Sequence, residues 1–369
     1  EIMSGDWSSD VCSSDLLRRK DMRRGLKTVI GAVAMMALLA GCVPSAKQET
    51  TSAGSSAAQT QTASKDMKKI GVVQLMEHTS LNIINDAMMK ELKELGYEDG
   101  VNCKIDYKNA QGDMSNITSI MQNFAGNKQD VLVTIATPVA QGAMELAKTT
   151  PVVFSAVTDP IGAGVLTNMD APDKGMTGTS DAVQIDKIME LAMKISPQAK
   201  KFGYIYNPGE DNSVHNLKLL EDFAKQNGLT IETASISTSA ELQTAASTLF
   251  PKVDAIFVAN DNTVASAMPV LAQESVKAKK PVYVGADSMV MDGGFATVGI
   301  DYEDLGKETA KMVDEVLKGK NVKDIPVKVF KDDLFTYVNA DTAKALGITI
   351  PDEIKNSPKY KELTTKKQQ

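Results

Sequence analysis

Cysteine, histidine and aromatic residues are all scarce in this chain. Its 369 residues include three cysteines, two histidines and one tryptophan, and aromatics make up only 5%. Cys12, Cys42 and Cys103 are too few and too scattered for a disulfide framework or a Cys/His metal cage, so neither a metal nor a cofactor is expected. A basic excess is also missing. Forty Lys and Arg against 47 Asp and Glu leave a net charge of -7, with nothing to neutralise phosphates, which argues against nucleic acid as a partner. The apolar run Val29 to Leu39 is too short to span a bilayer comfortably. Catalytic signatures are absent as well. There is no Walker loop and no G-x-S-x-G elbow, and Gly162-Ala163-Gly164 lacks the third glycine of a dinucleotide fingerprint. His78 and His215 fall in different halves of the chain. The chain is not read as an enzyme.

What the sequence does have is a recurring layout of apolar run, polar cluster and helical pattern. Apolar residues make up 43% and charged residues 24%, enough for two ordinary domains with full cores. The layout is plainest at Pro151 to Pro160 (PVVFSAVTDP). Val152, Val153 and Phe154 read as a buried parallel strand, and Ser155, Thr158 and Asp159 follow just past its carboxyl end. In open α/β sheets that edge is where ligands bind. Comparable ends occur at Gln74 to Ser80, Ala136 to Gln141, Asn207 to Ser213, Asn260 to Thr263 and Gly285 to Ser288. Two groups of three such ends imply two half-sites facing across a cleft between two lobes.

In chain order, residues 1–21 do not read as protein architecture. They are taken as a read-through or sequence-assembly artefact, the alternative being a disordered extension. From Met22, a basic segment (Arg23, Arg24, Lys27) precedes the apolar core and ends in Leu39-Ala40-Gly41-Cys42, which resembles the lipobox of bacterial lipoproteins. Residues 22–42 are therefore expected to be a signal peptide, with Cys42 lipidated. Residues 43–66, rich in Ser, Thr, Ala and Gln, are expected to be a flexible tether.

Folded sequence is expected from residue 67. Alternating strands and helices give βαβαβαβ order, hence a parallel sheet with right-handed crossovers. Gly175 to Asp181 (GMTGTSD) has no period and reads as a first crossing between lobes, Gly299 to Tyr302 as a second and Val327 to Phe330 as a third. The expected fold is α/β, two Rossmann-like lobes with parallel sheets joined by three crossings. Lobe 1 comprises 67–180 and 302–330, lobe 2 comprises 181–301 and 331–356, and 357–369 forms a polar tail. The hinge residues are Gly178, Asp181, Gly299 and Asp301.

The polar strand ends suit a zwitterion. Thr137, with Pro138 and Gln141 behind it, starts a helix beside the cleft whose free N–H groups favour a carboxylate, and Ser155 and Thr158 add hydroxyls. Asp159, Asp261 and Asp287 are carboxylates for an ammonium group, Asp159 being preferred because it shares a loop with the donors.

Several stretches together resemble a known family: IGVVQLMEH, NAQGDMSN, ATPVAQ, VFSAVTDPIGAG, GYIYNPGEDNSV and DNTVAS. Over residues 67–354 the chain is similar to bacterial ABC-transporter substrate-binding lipoproteins of the tryptophan and tyrosine uptake type, with a type I periplasmic-binding fold. The resemblance implies an extracytoplasmic, lipid-anchored monomer that binds a small ligand, typically an aromatic amino acid, between its lobes and delivers it to a permease with its ATPase. It implies ligand contacts from Glu77, His78 and Ser80, from Thr137, Pro138 and Gln141, and from Ser155, Ala156, Thr158 and Asp159. Across the cleft it implies Asn207, Glu210, Asn212 and Ser213, then Asn260, Asp261 and Asn262, and Asp287. The chain departs from the family pattern at Thr79, where a proline is usual, and at Asn82, where an aspartate is usual. Uptake of a different solute, or a ligand-sensing receptor for a membrane signalling protein, are the alternatives. An enzyme on a similar scaffold would need catalytic groups the chain lacks, and a repressor-like sensor would need a DNA-binding element.

Overall fold

A computed structural model describes residues 67–330 and 334–366. The leader, signal peptide, Cys42 and tether lie outside them. Among the described residues no helix is long and apolar enough to cross a membrane.

The first lobe opens with β1 (Lys68–Gln74) and α1 (Thr79–Glu94), then β2 (Cys103–Asn109), α2 (Met114–Asn127), β3 (Val131–Ile135), α3 (Thr137–Gly142), β4 (Val152–Ser155) and β5 (Met176–Ser180). Helix α1 buries Leu81, Ile84, Met88 and Leu92, a stripe at helical spacing. Asp113 caps α2 by accepting the Ser115 N–H at 2.7 Å. Strands β3 and β4 are buried along their whole length, as parallel strands covered on both faces must be.

The second lobe runs α4 (Ile185–Ile195), β6 (Lys201–Tyr206), α5 (Asp211–Asn227), β7 (Thr230–Ser235), α6 (Leu242–Leu249), β8 (Ala255–Val258), α7 (Asn262–Ala265), α8 (Met268–Ala278), β9 (Val282–Val284), α9 (Asp287–Met291) and β10 (Ala296–Gly299). Helix α10 (Tyr302–Leu317) then packs on α1, and β11 (Lys328–Val329) joins the first sheet. Strand β12 (Phe335–Asn339), α11 (Ala340–Leu346), α12 (Asp352–Lys355) and β13 (Tyr360–Leu363) complete the second lobe. The sheet orders are β11-β5-β4-β3-β1-β2 and β13-β12-β10-β9-β8-β6-β7. Every pairing is parallel except β10 with β12. The chain therefore passes between the sheets after β5, after β10 and between β11 and β12.

Three expectations are corrected. Within GMTGTSD, Met176–Ser180 is strand β5, and only Gly175 before it and Asp181 after it lie outside the strand. Gly178 accordingly lies inside β5, not at a hinge. It is glycine because a Cβ there would collide with the Phe154 carbonyl oxygen of the neighbouring strand. Nor are the described residues of the expected tail, 357–366, outside the lobes. Tyr360–Leu363 pairs with β12, and the Lys366 N–H donates to the Met291 carbonyl at 2.8 Å.

Candidate ligand-binding cleft

The carboxyl ends of β1, β3 and β4 face those of β6, β8 and β9 across the interlobe space. Ala136 and Ala156, the residues after β3 and β4, have φ of 88° and 56°. Such conformations are costly for a side chain with a Cβ and cluster at binding sites. Both line the cleft, with His78, Ser80, Leu81, Thr137 and Thr158 from lobe 1. Asn212, Asn260, Asn262, Ala265 and Met289 face them from lobe 2, and Asp181 and Tyr302 come from the passages between lobes. The enclosed volume is about 10 Å³, room for about one water molecule. The lobes are thus closed on one another.

Asp181 is the focus of this space. Its carboxylate accepts hydrogen bonds from Thr158 Oγ1 at 2.9 Å, Asn260 Nδ2 at 2.6 Å and the Tyr302 hydroxyl at 3.0 Å. It therefore ties lobe 1, lobe 2 and the second passage together. Burial raises its pKa, against those three donors. No Lys, Arg or His pairs with it among the described residues. Asn212 donates to the Asn260 carbonyl at 3.1 Å, while its own Oδ1 is buried without a partner. His78 Nε2 lies 3.1 Å from Asn262 Oδ1, its Nδ1 is also buried and unpartnered, and burial lowers its pKa to about 4. Ser80 meets Ser288 hydroxyl to hydroxyl at 2.6 Å, and Thr79 donates to Asp292 at 2.9 Å, both across the cleft.

Of the residues singled out in the sequence, His78, Ser80, Thr137, Ala156, Thr158, Asn212, Asn260 and Asn262 come together around the cavity. Others are placed elsewhere. Ser155 turns to Thr179 and Thr309, bonding Thr309 at 2.8 Å, so it joins the sheet to α10 instead of facing the cleft. Glu77 is exposed, and Pro138 is buried in the first turn of α3. Asp159 lies at the rim. It accepts the Gly162 N–H at 2.9 Å and meets His215 of lobe 2 at 3.0 Å. Gln141 donates to Asp211 at 2.6 Å, a second rim link between lobes.

Asp261 is saturated from within its own lobe, accepting from Asn207 N and Ser213 Oγ at 2.7 Å and capping α7 through Val264 N at 2.8 Å. Burial and the neighbouring Glu210 charge push its pKa up to about 7. Asn207 and Ser213 serve that carboxylate, and both Glu210 oxygens are taken by Asn262 and Thr263. These four residues build the cleft wall. Asp287 begins α9 outside the cavity, and burial, helped by the Asp301 charge, raises its pKa to about 7. Gly299 ends β10, and Asp301 caps α10 through the Glu303 N–H at 3.0 Å.

Sequence reading missed Asp181 as a cleft residue, together with Leu81, Ala265, Met289 and Tyr302. The signal for Asp181 was available, since it is the first polar residue after a strand end, but β5 was not recognised as a strand. A larger groove of about 860 Å³ lies outside the cleft over α8 and α11, sharing His78 and Ala265 with it. That groove has no fully buried carboxylate with converging donors, so the ligand reading belongs to the interlobe space.

Two α/β lobes with facing strand ends and three chain passages, closed over buried polar groups, define a two-lobed solute-binding protein of the periplasmic-binding type I class. More particularly, the chain belongs to the ABC transporter substrate-binding protein family, whose sequence profile matches residues 69–361. It is 39% identical over 323 residues to a Clostridioides difficile protein named tyrosine-binding protein, covering 88% of this chain and 92% of that one. A Streptococcus pneumoniae crystal structure, described as an ABC domain in complex with L-Trp, is 38% identical. It covers 80% of this chain and all of its own, with a TM-score of 0.76. A ligand-free, open Clostridium difficile substrate-binding protein with adhesive properties is also 38% identical, covering 81% of this chain and all of its own. Its TM-score is only 0.62. The lower score against an open relative of equal identity accords with the closed lobes described above.

Proposed function

We propose that this protein captures a free amino acid with an aromatic side chain between its lobes and delivers it unchanged to an ABC permease and its ATPase. The observation that carries this reading is Asp181, a buried carboxylate in the cleft with neutral hydrogen-bond donors and, among the described residues, no cation beside it. A buried unpaired charge costs several kcal/mol or shifts its pKa, and a ligand ammonium relieves that cost. The unpartnered Asn212 Oδ1 supplies a second acceptor on a residue lining the same cavity. Leu81, Ala265 and Met289 offer apolar surface for a ring. The tyrosine-binding name of one relative and the bound L-Trp of another support the aromatic class. Because the closed cleft holds about one water, the lobes must part to admit a ligand and close again around it.

The protein is proposed to act as a monomer outside the cytoplasm, tethered through a lipidated Cys42. Cys42→Ala is expected to release it from membranes, and fractionation that finds it still membrane-bound would count against the anchor. The ligand test is a calorimetric screen of free amino acids, with N-acetylated forms of every hit and mass spectrometry of the recovered ligand. Aromatic amino acids should bind, acetylation should abolish binding, and the ligand should return intact. Binding that survives acetylation, binding of sugars alone, or a converted ligand would overturn the reading.

A further inference from the structure

We propose that His78 selects ligands whose side chain carries a hydrogen-bond donor, and that the opposite lobe fixes the tautomer that makes it an acceptor. The inference rests on the interlobe amino-acid site proposed above.

Glu210 of lobe 2 orients the Asn262 amide. Its Oε1 accepts from Thr263 N at 3.0 Å and Thr263 Oγ1 at 2.8 Å, and its Oε2 accepts from Asn262 N at 3.1 Å. The Asn262 amide also reaches Oε2, at 2.6 Å. An amide oxygen that close to an acceptor would be repelled, so it is Nδ2 that faces Glu210, and Oδ1 faces away. Asn262 Oδ1 is the atom 3.1 Å from His78 Nε2, and it can only accept. The proton of His78 therefore sits on Nε2. Burial disfavours the charged ring and holds it neutral near pH 7. A neutral ring protonated at Nε2 carries a bare lone pair on Nδ1, and that atom is buried with no partner. The chain Glu210, Asn262, His78 crosses from lobe 2 to lobe 1, so closure sets the tautomer.

An unpaired buried acceptor is costly, and a ligand without a donor leaves it unpaired. The ligand ammonium is drawn to Asp181, so the donor for His78 comes from the side chain. The surfaces beside it, Leu81, Ala265 and Met289, are apolar. A ring with a single N–H or O–H, an indole or a phenol, satisfies both conditions. A plain benzyl group satisfies only one.

The test compares matched ligands by calorimetry on the wild-type protein: L-Tyr with L-Phe, and L-Trp with 3-benzothienylalanine, in which sulfur replaces the indole N–H. The donor-bearing member should bind at least about tenfold more tightly in a pair the site accepts. His78→Phe should bring that ratio down towards one. Nitrogen NMR of the wild type gives a readout that does not depend on the variant folding. The Nδ1 resonance should be that of an unprotonated nitrogen and should move on binding the donor-bearing ligand but not its partner. Equal affinities in both pairs, a ratio unchanged by His78→Phe, or a protonated Nδ1 would overturn the proposal while leaving the amino-acid site intact. Absence of binding by all four ligands, with other solutes bound, would overturn the functional reading and this inference together.

Discussion

Asp159 and Asp181 both follow strands of the first sheet, yet their surroundings give them different roles. Asp159 sits at the rim, partly exposed, holding the Gly162 N–H and meeting His215. Asp181 is buried in the cavity with three donors from three parts of the chain. Asp181→Asn is therefore expected to weaken amino-acid binding by at least about 2 kcal/mol, the scale for truncating a buried charge pair. Asp159→Asn should cost below about 1 kcal/mol, as partly exposed pairs do. Calorimetry of both variants with one ligand checks the order, and the reverse order would move the ammonium site to the rim. Sequence alone made Asp159 the preferred partner because it shares a loop with hydroxyl donors, and chain proximity cannot report how deep a side chain lies. Asp287 gives a second residue-scale expectation. Burial first, then the Asp301 charge, raise its pKa to about 7. A carboxyl whose pKa is higher in the folded than in the unfolded state favours folding while protonated. That contribution is complete below about pH 4 and is lost as pH rises through 7. Asp287→Asn should therefore gain stability relative to wild type between pH 4 and 7.5, by on the order of 3 kcal/mol. Urea denaturation across that range measures the difference, and a flat difference would show that Asp287 does not titrate on folding.

Most elements could be read from the sequence because apolar spacing and strand ends were clear, as at PVVF before Ser155 and at the Leu81-Ile84-Met88 stripe of α1. The failures have physical reasons. Strand β5 (MTGTS) has little apolar content, and its burial comes from β4 on one side and α10 over its face, contacts that no local pattern records. Strand β13 (YKEL) has two adjacent charged residues at its centre and no apolar alternation, and it forms because β12 offers it an edge. Whether hydroxyls faced the cleft was also beyond local pattern: Ser155 points at α10, whereas Thr158, three residues on, points at Asp181. The contact of α10 with α1 was likewise hidden, although the small Gly306 hints at it. A Cβ at Gly306 would collide with the Ile84 carbonyl oxygen of α1. Gly306→Val should force these helices apart and destabilise the protein by about 1–3 kcal/mol, and a denaturation midpoint equal to wild type would show that the helices have slack.

At the scale of the whole molecule, the closed conformation carries direct hydrogen bonds between lobes beside the apolar contact of residues such as Leu81, Ala265 and Met289. Thr79 to Asp292, Ser80 to Ser288, His78 to Asn262 and Asn260 to Thr158 and Asp181 all cross the cleft. Each exchanges with water when the lobes part, so each contributes only about 1 kcal/mol net to closure. A ligand that must break some of them on entering needs to replace them with its own contacts, and binding and closure become one linked equilibrium. Removing bonds away from the proposed ammonium and His78 contacts should shift that equilibrium without changing ligand chemistry. Thr79→Val with Ser288→Ala deletes two of them, worth together about 2 kcal/mol. Solution scattering of the double variant without ligand should give a larger radius of gyration than wild type under the same conditions. Saturating ligand should bring both to the same compact value, because its contacts to the two lobes outweigh the missing pair. A double variant as compact as wild type would mean that these bonds do not hold the lobes together. A liganded variant that stays expanded would mean that the ligand does not bridge the lobes, and the cleft would then have to be abandoned as the site of capture.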